Sequence, residues 1–429
     1  MSSLSAKQPA DIAELLAERE EHAVQALLTL PAEKAAAALY KLEDGLRERA
    51  MADLVGNARL APMLNTLDAD EVADLLNGLA PEQAQELLLQ LEHRAPVARL
   101  LSYPVDTAGG IMDTAVLELS ASDTPETAAE KLRNWPGKLD HLQEAYVIDE
   151  ARRLVGRVNL LRLLVAPEGT PVASLWEEEP ESVTVDLDQE KVVNRMERYD
   201  LDSMPVVDEE GVLLGSVTLT DAISVLKRES DEDMRYMGGL SQSTSQAGKI
   251  WRIVQGRLPW LALGMVGSIL GAVVIMRFEA VLEQAAILAA FIPLIAATAG
   301  NAGIQSSTVT VQGLATGTFG IKGLLPRMAR ELAGAMLNGL AVSLLVALFL
   351  VALEWWSPDQ FQRDQALFLT LALSLLAVII IAALIGALVP TLLDRMGVDP
   401  AVATGPFITV SNDIVGVLIY FLVASWLYL

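Results

Sequence analysis

The run PFITVSNDIVGVLIYFL, residues 406–422, holds a single charged side chain, Asp413. A carboxylate in so oily a segment costs several kcal/mol unless it meets water, a cation or a hydrogen-bond partner. Residues 400–429 are long enough to cross a bilayer. On that reading Asp413 lies about 18 Å of helix beyond Ala401 and about 24 Å before Leu429. It is then near mid-membrane and too short to reach the interface. No Lys or Arg occurs in this stretch or in residues 285–314. Two accounts follow: a protonated, hydrogen-bonded carboxyl, or a hydrated path for cations. For the second, the donors at hand are Asp413, Asn301, Gln305, Ser306, Thr409 and backbone carbonyls. The chain has no Cys, and its three His (His22, His93 and His141) all precede the apolar part. A donor set of oxygens and amides suits hard cations, Mg2+ above softer metals. Mg2+ gives up water reluctantly, so one carboxylate among retained waters fits it. Calcium, cobalt and manganese are compatible with the same ligand types.

The elements that must hold Asp413 are spans. The 429 residues are 52% hydrophobic with mean hydropathy +0.38, beyond an ordinary soluble protein. From Arg257 onward there are seven Lys/Arg against nine Asp/Glu, so residues 1–256 carry −22 of the net −24. An acidic part precedes an oily, nearly neutral one, which argues against nucleic acid as a partner and fits cation binding. Five runs are long enough to span a bilayer: 258–276, 285–314, 332–353, 366–393 and 400–429. The second contains PLIAATAGNAGIQSS, whose small residues suit close helix packing or a cavity wall. Lys322, Arg327 and Arg330 follow the second run, whereas Glu354, Asp359, Arg363 and Asp364 follow the third. The positive-inside rule puts the basic loop, and with it the N-terminus, in the cytoplasm, and the C-terminus outside. No cleaved signal peptide is expected, since no basic stretch precedes an apolar core at the N-terminus.

In the acidic part, LDADEVADLLNGLAPEQAQELLLQLE has helical periodicity. Leu67, Val72, Leu75, Leu76 and Leu79 form one apolar face, and Ala84, Leu87, Leu88 and Leu91 form the next. Asp70 and Pro81 stand at helix starts. Short antiparallel helices stacked as a superhelix are expected. An internal repeat follows at a fixed offset of 59: Asp149 with Asp208, Gly156 with Gly215, Val158 with Val217. Each copy reads as strand, turn, strand and helix, and the pair resembles a tandem CBS domain. In GSVTLTD, Thr218 and Asp221 have the spacing by which such domains hold the ribose of an adenine nucleotide; a helix N-cap explains the same pair equally well. The first copy has Asn159 and Arg162 instead. A charged helix, a Gly-Gly break and a polar connector then lead to the first span.

This order, together with GNAGIQSS in the second span, GVDPA before the fifth and GPFITVSND within it, resembles the MgtE family of magnesium channels. The resemblance implies a multidomain membrane protein with three parts. These are a superhelical α-helical N domain (1–103), α/β tandem CBS domains (104–226, divided near 166) and, after a connecting helix (227–256), an all-α five-helix transmembrane domain (257–429). It implies a homodimer in the plasma membrane, with the pore at the dimer axis between second and fifth spans. Asp413 then matches the selectivity aspartate, Asn301 the pore asparagine, and Thr409 a position offering its carbonyl. It further implies closure by cytosolic Mg2+ bound at Asp70, Asp74, Asp188, Glu190, Asp200, Asp221, Glu229, Glu232, Asp233 and Asp399. Read singly, each of these acids fits a solvated surface equally well. Ser224 stands where the family often has an acid, Lys227 and Arg228 add positive charge, and no glutamate appears near Met63. The expected ligands are Mg2+ and, at Thr218 and Asp221, ATP. Two further readings stay open: a secondary transporter of divalent cations (Mg2+, Co2+) coupled to Na+ or H+, and a membrane-anchored nucleotide sensor. No nucleophile–base pair, P-loop or metal-hydrolase motif points to an enzyme.

Overall fold

A computed structural model of the chain describes residues 5–135, 139, 142–240, 250–317, 324–356 and 365–428. Lys322, Asp359, Arg363, Asp364 and the connector 241–249 lie outside the described residues. The chain divides into two compact units, residues 1–229 and 230–429.

The first unit opens with short helices whose starts are written in the sequence. Helix Ala69–Asn77 is capped by Asp68, whose backbone N–H donates to Glu71 Oε2 at 3.2 Å. Pro81 occupies the first turn of helix Pro81–Leu88, where its missing N–H is harmless. Val72, Leu75, Leu76, Leu87 and Leu91 are buried, as their spacing requires. Leu67, Leu79, Ala84 and Leu88 pack partly buried against the same core.

Two sheets follow. The first has order β1 (Glu118–Leu119), β2 (Glu144–Ile148), β3 (Leu154–Asn159), β4 (Glu177–Glu178); the second has β5 (Val183–Thr184), β6 (Ser203–Val207), β7 (Leu213–Thr218). The repeat extends to register. β2 and β3 pair Glu144 with Asn159 and Val147 with Gly156, while β6 and β7 pair Ser203 with Thr218 and Val206 with Gly215. The hairpin turns are built alike, since Asp149 accepts from Ala151 N and Arg153 N, and Asp208 from Glu210 N and Val212 N. The copies join through Tyr146 Oη, which lies 2.6 Å from Ser203 Oγ, and Ser203 Oγ donates to Glu144 Oε2 at 3.0 Å.

The linking helix, Leu219–Met237, starts directly after β7. Among the described residues of the second unit five helices are long and apolar enough to cross a membrane. They are Ile250–Arg277, Ile292–Ala315, Leu324–Trp356, Gln365–Arg395 and Pro406–Tyr428. Leu288, Ile295, Leu375, Val378, Tyr420 and Phe421 form the core, with Tyr420 Oη donating to the Leu288 carbonyl at 2.9 Å. The fifth helix begins at Pro406 and not at 400. Asp399 Oδ1 accepts from Ala401 N at 2.8 Å and folds Pro400–Ala403 into a separate turn, and Gly405 then takes φ +57. Asp413 is therefore about 10 Å from one end of its helix and about 22 Å from the other, off the middle that a start at 400 implied.

Candidate ion pathway and carboxylate clusters

The second and fifth spans meet across glycines. A Cβ at Gly300 would lie 3.1 Å from Asp413 Oδ1 and 3.2 Å from Thr409 Cγ2. A side chain there would press the carboxylate and Thr409 outward by a few tenths of an ångström. Among the described residues Asp413 has no hydrogen-bond or ion-pair partner, and it is half-buried. Thr409 Oγ1 donates back to the Gly405 carbonyl at 2.9 Å, so its hydroxyl proton is engaged within its own helix. Asn301 and Gln305 point elsewhere. With Ser306 of the second span and Glu331 and Asn338 of the third, they line a cavity of about 580 Å3. The Ser306 hydroxyl donates to the Ala383 carbonyl at 2.7 Å. Within one chain the five expected donors thus fall into two groups: Asp413 with Thr409, and Asn301 with Gln305 and Ser306.

The sequence-expected acids also separate. In the first unit Asp70, Asp74 and Asp221 share one field, joined by Asp113, which sequence reasoning missed. Asp113 is held there by backbone pairing to Ser216, its N–H and carbonyl each bonding at 2.9 Å. Burial, then Asp221, Asp113, Glu71 and Asp68, raises the Asp70 carboxyl well above its ordinary pKa. Asp70 Oδ1 is buried with no hydrogen-bond partner among the described residues. Asp74 is raised by burial, but the charges of Arg228 and Arg47 oppose this, as does the Tyr40 hydroxyl donating to Oδ2 at 3.3 Å. Arg228 donates to Gln189 Oε1 at 2.5 Å, and Gln189 Nε2 donates to Glu229 Oε1 at 2.5 Å. Asp188 caps helix Gln189–Arg198, accepting from Glu190 N at 3.1 Å. Asp200 is exposed beyond the far end of that helix, at φ +51, about 15 Å of helix away from Asp188.

In the second unit Glu232, Asp233 and Asp399 face one another. Burial, then Asp399 and Glu232, pushes Asp233 up to about 6. Burial and Glu232 push Tyr236 up to about 12. Among the described residues no three carboxylate or imidazole side chains close into a ligand shell. The acids gather charge without fixing geometry, which suits a cation that keeps its water. The orphaned Asp70 oxygen is the clearest sign that a cation fits.

The Thr218–Asp221 pair makes the contacts of a helix cap. Thr218 Oγ1 and Thr218 N both donate to Asp221 Oδ2, at 2.6 and 3.0 Å, at the start of the linking helix. Thr218 also lines a small cavity of about 20 Å3, room for one water, with Glu144, Tyr146 and Ser203.

Comparison with known proteins starts from three family models. The one described as divalent cation transporter matches residues 292–423, the MgtE intracellular N domain matches 7–106, and the CBS domain matches 177–228. The magnesium transporter MgtE of Bacillus subtilis is 31% identical over 421 residues, 97% of this chain and 91% of that one. The chain belongs to the MgtE family. The magnesium transporter MgtE of Thermus thermophilus is 34% identical over 343 residues, 79% of this chain and 74% of that one. The solved cytosolic domain of the Mg2+ channel MgtE in complex with ATP aligns at 33% identity over 52% of this chain and 92% of that one, with a TM-score of 0.49. The family's architecture is the one described here: an MgtE-type N domain, a CBS pair and a helical part with five candidate spans. Against it, Asp113, Arg47, Tyr40 and Gln189 stand out as the residues that sequence reasoning missed. Only Arg228 carried a signal, as a positive charge inside an acidic run.

Proposed function

We propose that the chain forms a homodimeric, Mg2+-selective channel in the plasma membrane, with its N-terminus in the cytoplasm and its C-terminus outside. Named relatives are magnesium transporters. One observation carries the reading: Asp413 lies within a span, against Gly300, with no cationic partner among the described residues. In lipid a bare carboxylate is strongly disfavoured. Water and a divalent ion between two symmetry-related copies satisfy it, with the Thr409 carbonyl assisting. Mg2+ on the cytosolic side then binds the clusters around Asp70 and around Asp233. By neutralising mutually repelling carboxylates it stabilises the closed form by mass action.

Mg2+ uptake into liposomes containing the native chain or Asp413→Asn tests this at low and high Mg2+ on the cytosolic side. Uptake by the native chain, its loss in the variant and its suppression at high cytosolic Mg2+ are expected. Uptake that depends strictly on a Na+ or H+ gradient replaces the channel with a coupled transporter. Undiminished uptake by Asp413→Asn overturns the assigned path.

A further inference from the structure

Asn412 immediately precedes Asp413, and only 1% of its surface is exposed. Neither Oδ1 nor Nδ2 has a hydrogen-bond partner among the described residues. The amide is packed tightly against Gly303. A Cβ there would overlap Asn412 Nδ2 and come within 2.9 Å of Ile408 Cγ2. The far side of Gly303 is closed as well, since a Cβ at Gly386 of the fourth span would overlap the Gly303 carbonyl oxygen. Two consecutive residues of the fifth span therefore rest on two glycines one turn apart in the second: Asn412 on Gly303 and Asp413 on Gly300. The Ser307 hydroxyl, fully buried one turn past Gly303, is also without a partner among the described residues.

An amide sealed from water with neither donor nor acceptor used is destabilising, whereas an apolar group of the same shape there is neutral or stabilising. The contact with Gly303 fixes the depth of Asp413 and penalises the same arrangement. Any displacement of the fifth span that lets water reach Asn412 removes that penalty. The end of the linking helix opposes such a displacement, because Gly239 packs against Pro406 at the start of the fifth span. We propose that Asn412 is a positioning residue for Asp413: its unpaired amide biases the fifth span to leave the second. In this way it sets the Mg2+ concentration at which the pathway closes. This rests on the gated-channel reading above.

The test uses the full-length chain in liposomes and reads the cytosolic Mg2+ concentration that halves uptake. Asn412→Leu keeps the shape and removes the need for partners, so the half-closing concentration is expected to fall about tenfold. Gly303→Ala forces the amide off its seat, so that concentration is expected to rise about tenfold. Thermal melting in detergent checks that both variants fold; if Asn412→Leu does not, Asn412→Ala carries the same expected sign. An unmoved half-closing concentration in a folded variant, or a shift of both variants in the same direction, overturns the role of Asn412 while leaving the channel intact. A native chain that Mg2+ does not close overturns the gate and this inference together.

Discussion

Gly239→Ala at the end of the linking helix separates strain from leverage. Gly239 has φ +67, and its N–H donates to the Tyr236 carbonyl at 2.9 Å, ending the helix with a left-handed residue. An alanine costs about 1–2 kcal/mol for that conformation wherever the turn is kept. It also adds a Cβ 2.6 Å from Pro406 Cγ and 3.2 Å from Pro406 Cδ. Ordinary carbon contacts need about 1 Å more, and the proline ring cannot rotate away. The end of the linking helix must therefore draw back from the fifth span. Overpacking of this kind costs about 1–3 kcal/mol, borne only by the packed arrangement. The half-closing Mg2+ concentration should rise about tenfold to a hundredfold. Gly211→Ala is the control: φ is +83 and nothing lies within 4 Å of its Cβ, so it should lower thermal stability without moving the half-closing concentration. Uptake titrated against cytosolic Mg2+ reads one effect, and melting in detergent reads the other. Equal shifts from both variants, or none from Gly239→Ala, would refute the leverage argument.

Asp413→Asn should cut Mg2+ uptake at least about a hundredfold, the loss of a carboxylate's attraction for a divalent ion at an effective dielectric near 20, with unchanged elution on size exclusion. Asp233 is raised to about 6 by burial and by Asp399 and Glu232, so the folded form binds more protons than the unfolded one between about pH 4 and 6. In Mg2+-free buffer thermal stability should therefore fall as pH rises through that window. Mg2+ should restore it above pH 6, and Asp233→Asn should flatten the profile. Asp70→Asn should raise the melting temperature without Mg2+, by removing a buried carboxylate, and reduce the further rise that Mg2+ gives. Thr218→Ala should cost about 1 kcal/mol of stability through the lost cap, measured by denaturant titration.

Much of this was legible because the signals are periodic. The offset of 59 that relates Asp149 to Asp208 also relates the strand pairings, since register follows from which face of each strand is apolar. Asp413 was conspicuous because charge is rare in spans. The start of the fifth helix was misjudged, because Pro400 and Ala401 are apolar while the capping by Asp399 and the φ of Gly405 are local geometry. Asp113 escaped notice because a bridge to Ser216, distant in sequence, brings it to Asp70. Arg228 and Arg47 read as surface charge until packing set both near Asp74. Asn412 was hidden in plain view: its type and place were readable, but an amide's lack of partners is a property of the packed helices.

The off-centre seat of Asp413 has an electrical consequence. With about 10 Å of helix on one side and about 22 Å on the other, an ion following the proposed path from the Tyr428 end would cross roughly two-thirds of the voltage drop before it met the carboxylate. At about 2.3 kcal/mol per charge per 100 mV, that is about 3 kcal/mol per 100 mV, or a hundredfold in occupancy. In the proposed channel, with its C-terminus outside, a cell that is negative inside would load this seat from outside without chemical coupling, and depolarisation would empty it.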